Sequence, residues 1–215
     1  MQSEAAENHK QDARKEMLFM AAKCFAEKGY CGTTLDSISS RLGCTIGRIY
    51  HFYPTKMDLF LGVHWKAMET VFEAITPIYE SGSPPFERLC RMSLEHTKAI
   101  IRTLPFHKVV KEGIDMHFRM ATTPDHRSKL EEVVKSRLRY ASLFRDVLEQ
   151  CRQDGRLVYQ EAGIAIQLIF MSLNAPAHRT SNYSIETDNE IEDIARETVI
   201  FALTGLGADK ERILL

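Results

Sequence analysis

The chain has 215 residues, 44% hydrophobic and 27% charged, enough apolar material to bury a sizeable core. Its net charge of −1 selects no partner class, and no stretch reaches the roughly 20 apolar residues of a membrane-spanning helix. The polar N-terminus "MQSEAAENHKQDARKEM" has no signal-peptide core, and five cysteines without a CxxC pair offer neither a disulfide framework nor a zinc site.

Together these describe a cytoplasmic protein with no membrane partner, no metal site and no cofactor requirement. The cysteines read as buried thiols, with Cys31, in a loop, as the exposed exception.

Hydrophobic spacing is helical along almost the whole chain. A first helix over about 10–28 places Leu18, Ala21, Ala22 and Phe25 on one stripe and stops at Gly29. Two short helices follow, 35–42 and 46–52, then a longer one from Thr55 towards Pro77. The breaker "SGSPPFE" at 81–87 puts Pro84 and Pro85 at a helix start. Further helices cover about 85–103, 106–120, 126–154 (stopped by Gly155), 160–174 and 188–204. No strand-like alternation, repeat or low-complexity tract occurs, so the fold class is all-α with about nine helices.

The segment "AGIAIQLIFMSLNAPA" (162–177) is apolar on every side, with only Gln167, Ser172 and Asn174 interrupting. A helix of that kind is buried all round, either as the central core helix or in a subunit interface.

Helices of seven or eight residues are marginal alone, so the pair around Gly43 needs another reason to exist. Thr34 can cap the first and Thr45 the second, each hydroxyl accepting from an unpaired backbone N–H. Ile38, Leu42 and Ile49 supply the contacts between them. This is a helix-turn-helix pattern, whose second helix enters the major groove of DNA. Thr45, Ile46, Gly47 and Arg48 then point outward. Gly47 costs about 1 kcal/mol of helix stability relative to alanine, and in return lets backbone and base edges approach closely. Arg48 can pair bidentately with guanine or grip a phosphate.

Lys56 lies in the first turn of the next helix, where it faces the positive end of the helix dipole. A bound phosphate would turn that repulsion into a shared grip, while Asp58 can complete a cap with Thr55. Tyr53 reads as core packing under the turn. Charge agrees with an anionic partner at this end: residues 9–56 hold eight Lys and Arg against four Asp and Glu, a balance of +4.

"CFAEKGYCGTTLDSISSRLGCTIGRIYHFYPTKMDLF" (24–60) resembles the TetR-type transcriptional regulators of bacteria. Phe25, Gly29-Tyr30, Thr34, Ile38, Gly43, Gly47, Tyr50, an aromatic at 53, Thr55-Lys56 and Leu59 carry the likeness, in order and at this spacing. The resemblance implies a homodimer that binds a palindromic operator in double-stranded DNA, usually as a repressor, and releases it when a small-molecule effector enters the C-terminal domain. By position it implies Thr34, Tyr50 and Lys56 on phosphates, and Thr45, Gly47, Arg48 and His51 near base edges. Three departures stand out: Ile46 where many members are basic or polar, Phe52 where a hydrogen-bonding ring is common, and Ser37 where an acid is common.

The expected division is a helix-turn-helix DNA-binding domain at 9–56 and a helical ligand-binding and dimerisation domain at 57–215. In the latter, Met68, Phe72, Met92, Phe106, Val110, Ile114 and Phe144 recur at helical spacing. The resemblance implies a cavity among them that suits a small, largely apolar ligand, with His96, His117 and Asn174 as polar candidates. Operator half-sites about 34 Å apart require two copies, which favours the interface role for 162–177. Its Ile166, Ile169, Phe170 and Leu173 would meet a seam of Ile191, Ile194, Ala195, Thr198, Val199 and Ala202. An enzyme is disfavoured, since no phosphate loop, HExxH or GxSxG is present. A purely structural helical protein would leave Gly47 and Lys56 without a purpose.

Overall fold

A computed structural model describes residues 2–119, 123–178, 187–213 and 215, and the regular structure among them is helical throughout. Nine α-helices run in order: α1 Gln2–Gly32, α2 Leu35–Leu42, α3 Ile46–Phe52, α4 Lys56–Tyr79, α5 Pro85–Arg102, α6 Leu104–Arg119, α7 Pro124–Gln153, α8 Ala162–Leu173 and α9 Asp188–Gly205. The all-α expectation and the helix count therefore hold among the described residues. No described helix is long and apolar enough to cross a membrane.

Helix α1 starts well before its apolar stripe. Residues 2–9 contain neither glycine nor proline, and their Ala, Glu and Gln are good helix formers. The other end is marked by Gly29, whose φ of 70° and ψ of 173° interrupt the helical path. At Gly43 the αL conformation (φ 64°) ends α2, and its N–H donates back to Ser39 and Ser40 carbonyls.

The chain forms two compact units. The first comprises Met1–Met68 and Pro105–Lys135, so it joins α1–α3 and the start of α4 to α6 and the start of α7. Met17, Ala21, Ala22 and Phe25 of α1 are buried here together with Ile38, Ile49, Leu59 and Phe60. Phe25, Tyr30 and Phe60 meet as a ring trio, with Phe60 edge-on to both partners.

The second unit comprises Glu69–Leu104 and Ser136–Leu215. In it α5 and α8 both pack on α9, and Lys98 of α5 bridges Glu95 and Glu192 at 3.1 and 2.5 Å. Both α8 and α9 begin on side-chain caps: Glu161 accepts from Gly163 and Ile164 N–H, and Thr187 forms a capping box with Glu190.

Candidate nucleic-acid interface

The start of α2 is fixed by local hydrogen bonds. Thr34 accepts from Ser37 N–H (3.1 Å), and Ser37 Oγ accepts in return from Thr34 N–H (3.3 Å). Ser37 thus does what an acid at that position would do in a capping box, which accounts for the departure seen in the sequence.

Thr45 does stand at the N-cap of α3, but its hydroxyl makes no capping bond. The reason is local: the N–H it would serve, that of Arg48, already donates to Thr45's own carbonyl at 3.0 Å. This corrects the expected cap and leaves the hydroxyl at the open end of the helix.

Helix α3 buries Ile49 completely, while Thr45, Gly47, Arg48, Tyr50 and His51 are exposed and Ile46 and Phe52 are half-buried. Gly47, Arg48 and His51 share a face at i, i+3 and i+4 spacing. Tyr50 keeps 50% of its surface open, high for so large a ring that has no packing role. Among the described residues Arg48 has no acidic partner. A Cβ built on Gly47 would meet only Thr45 Oγ1, at 3.9 Å. Nothing among the described residues, then, requires glycine there.

Gly62 on α4 is the opposite case. A Cβ there would lie 2.7 Å from Tyr53 Cε1, so that glycine exists to seat the ring. Tyr53 is buried as expected, and its hydroxyl accepts from Arg14 Nε at 3.0 Å.

Lys56 has partners the sequence did not reveal. Its Nζ donates to the carbonyls of Tyr30 (2.9 Å) and Thr33 (3.0 Å) and stands 4.2 Å from the centre of the Tyr30 ring. The cation therefore closes the C-terminal end of α1, where a positive charge is favoured. One of its three protons remains for another acceptor. Next to it, Asp58 accepts from the Thr55 hydroxyl (2.7 Å) and from Lys129 (3.0 Å).

A carboxylate from α6 completes this corner. Glu112 Oε1 accepts from Tyr30 N–H at 2.5 Å, and a Cβ on Gly29 would come within 3.0 Å of the same oxygen. Burial raises the Glu112 pKa, with the Tyr30 N–H and the Lys56 charge opposing. Nothing in the sequence marks this acid, 82 residues from its partner.

Residues 18–63 match the model of the bacterial regulatory proteins of the tetR family. The transcriptional repressor AcnR of Corynebacterium glutamicum is 32% identical over 136 residues, 63% of this chain and 69% of AcnR. The chain belongs to the TetR family. AcnR of Corynebacterium efficiens is also 32% identical, and there the match spans 64% of that repressor's length and 59% of this chain. The repressor KstR2 of Mycobacterium tuberculosis is 27% identical over 73% of this chain and 74% of its own.

The solved structure of that KstR2, a ketosteroid transcriptional regulator, shares the fold at a TM-score of 0.74 and 22% identity, over 90% of this chain and 94% of its own. AibR, solved with isovaleryl coenzyme A and operator DNA, shares it at 0.67 and 18%, over 88% and 97%. The curated relatives of this TetR-family chain are transcriptional regulators, not enzymes.

The residues expected around a ligand divide between the two units of this TetR-family fold. Met68, Phe106, Val110 and Ile114 fall in the first, where Phe106 lies 6.4 Å from Phe19. The side chain of His117 is outside the described residues. Phe72, Met92, His96, Phe144 and Asn174 fall in the second. There His96 Nδ1 shares a 2.7 Å hydrogen bond with the Tyr140 hydroxyl, and both rings pack with Phe144 and Phe170. Phe72 meets Tyr140 edge-on at 4.9 Å. Sequence reading missed Tyr140, the hub of this cluster, although it sits four residues before Phe144 on one helical face. Asn174 is occupied otherwise: its Nδ2 donates to the Phe170 carbonyl at 2.7 Å and helps close α8.

The residues expected at the interface differ in burial within the chain. Ile166, Ile169 and Leu173 on α8, and Ala195, Val199 and Ala202 on α9, are buried within the single chain. Phe170 belongs to the aromatic cluster, and Ile191, Ile194 and Thr198 are half-buried. The exposed apolar residues are instead Ile164 (57%), Leu168 (51%) and Met171 (63%) on α8 and Phe201 (74%) on α9. An all-apolar helix has no polar face to fix its rotation, so its sequence alone does not separate the two sides.

Proposed function

We propose that this TetR-family protein is a cytoplasmic transcriptional repressor that binds a palindromic operator as a homodimer and leaves it when a small, largely apolar ligand binds. The observation that carries this reading is the exposed face of α3. Gly47 presents bare backbone for no internal reason, beside an Arg48 without an acidic partner. In this reading Thr45, Gly47, Arg48 and His51 approach base edges, while Thr34, Tyr50 and the spare proton of Lys56 hold phosphates. The DNA-binding domain is 9–56 and the regulatory domain 57–215.

The dimer is proposed to form through Ile164, Leu168 and Met171, one stripe at i, i+4 and i+7, together with Phe201. Four large exposed apolar side chains on two adjoining helices are costly in a monomer and ordinary in an interface. The aromatic cluster of Phe72, His96, Tyr140, Phe144 and Phe170 supports an apolar effector, and AibR's complex offers a precedent for pairing a small acyl ligand with operator DNA. Ligand shifts DNA binding only by its difference in affinity for the two conformations.

The test is selection of duplexes from a random-sequence pool, with Arg48→Ala beside the parent protein. A palindrome is expected, and Arg48→Ala should relax preference at one position in each half by about 1–3 kcal/mol. A folded dimer that enriches no sequence, with or without metabolite extract, would remove the reading.

A further inference from the structure

Arg14 of α1 is exposed yet held in place. Its Nε donates to the Tyr53 hydroxyl at 3.0 Å, and its guanidinium carbon stands 5.6 Å from the centre of the Tyr53 ring. The anchor is itself fixed. Tyr53 is buried, and a Cβ on Gly62 would fall 2.7 Å from its Cε1 and 3.2 Å from its Cζ. Glycine at 62 thus makes room for the ring up to the carbon that bears the hydroxyl.

This anchor orients the cation without neutralising it. Lys15 pairs with Asp12 at 3.2 Å and Arg41 with Glu27 at 2.7 Å, whereas among the described residues no carboxylate pairs with Arg14. A guanidinium stays charged and presents a fork of N–H donors. With Nε bound to a neutral hydroxyl, the two terminal nitrogens keep their N–H groups for another acceptor. A long side chain loses rotamer freedom when it grips a ligand, and a tethered one has lost part of it already.

The tether also stands at a telling place. Tyr53 is the C-cap residue of α3. That helix has seven residues and is roughly 10 Å long. A major groove is about 12 Å wide, so the end of such a helix comes close to a phosphate strand. Tyr50, one turn earlier and half open to solvent, belongs to the same end.

We propose that Arg14 is a preset phosphate clamp: anchored by the Tyr53 hydroxyl, it grips the DNA backbone at the C-terminal end of α3. Tyr53 is its positioning residue. This rests on the reading of α3 as the helix that enters the groove.

The experiment measures operator affinity of the full-length dimer by fluorescence anisotropy, between about 50 and 200 mM salt. The proteins are the parent, Arg14→Gln, Arg14→Lys, Tyr53→Phe, Arg14→Gln with Tyr53→Phe, and Lys15→Gln, each first shown to be a folded dimer by melting and sedimentation. Losing one phosphate pair per half-site lowers the salt slope by about 1.8. Arg14→Gln should therefore bind about 30-fold more weakly at the low-salt end and only about threefold more weakly at the high-salt end, with sequence preference unchanged. Arg14→Lys, which keeps the charge but not the fork, should fall between it and the parent. Tyr53→Phe keeps ring and charge, so it should lose several-fold in affinity at the parent's salt slope, and nothing further once Arg14 is replaced. Lys15→Gln removes the neighbouring charge and should lose far less than Arg14→Gln.

An Arg14→Gln dimer with the parent's affinity and salt slope overturns the proposal. So does an equal loss in Lys15→Gln, which would mean unplaced charge alone, or a Tyr53→Phe loss that persists in full without Arg14. If the regulator reading itself fails, the parent dimer enriches no duplex, and this inference falls with it.

Discussion

Replacing Gly47 by alanine should move stability and DNA binding in opposite directions. Gly47 lies in the first turn of α3 and is not among the glycines at positive φ, so alanine fits its backbone. The added methyl would meet only Thr45 Oγ1, at an ordinary 3.9 Å. Helix propensity alone then predicts a gain of up to about 1 kcal/mol, or roughly 2–4 °C in Tm for a chain of this size. On DNA the same methyl occupies the gap through which backbone would approach a base pair. Losing one base-pair contact costs about 1–3 kcal/mol per half-site, so two half-sites lose at least about 2 kcal/mol, roughly 30-fold in affinity. Thermal melting and fluorescence anisotropy on the selected operator, at one fixed salt concentration, read the two quantities. A Gly47→Ala protein that binds like the parent would refute the close-approach argument. One that melts lower would refute the claim that the site is open on the protein side.

The proposed dimer face and the buried face of α8 are separated by a pair of adjacent substitutions. Leu168→Glu should leave a folded protein that sediments as a monomer and binds operator weakly. Ile169→Glu, which places a charge in the core of the chain, should cost several kcal/mol and lose the circular-dichroism signal of the native fold; a dimeric Leu168→Glu would show that the interface lies elsewhere. For the thiols, burial pushes Cys151 up to about 12, so at pH 8 it carries almost no thiolate. Iodoacetamide should therefore label the exposed Cys31 in the native protein and reach Cys24 and Cys151 only after denaturation, as read by mass spectrometry of tryptic peptides.

The parts of the structure legible in the sequence are those decided within a few residues. The limits of α2 and α3 coincide with the expected 35–42 and 46–52 because Thr34 and Gly43 act on backbone groups beside them. The start of α1 was not legible, since a helix without an apolar stripe gives no periodic signal. Thr45 was misread because a hydroxyl and a carbonyl on the same residue compete for one N–H, and spacing does not say which wins. Lys56 was recognised as electrostatically out of place, but the carbonyls that explain its position lie 23 and 26 residues away. On α8 the helix was evident and its rotation was not.

The clasp between Glu112 and Tyr30 N–H bears on how freely such proteins can exchange parts. A recombinant that joined residues 9–56 of this chain to another regulator's body would bring Gly29, Tyr30 and Lys56 but leave the acid behind, on a helix that begins at Leu104. The donor would face whatever the new body places there, losing its acceptor if the side chain is shorter or apolar, while a bulkier one would press on the bare Cα of Gly29. Successful grafts would be those whose acceptor already carries, or is given, a glutamate at the corresponding turn of its sixth helix. Heads and bodies in such a lineage would then be inherited as matched pairs, with residues 29, 30 and 112 as the fitting between them.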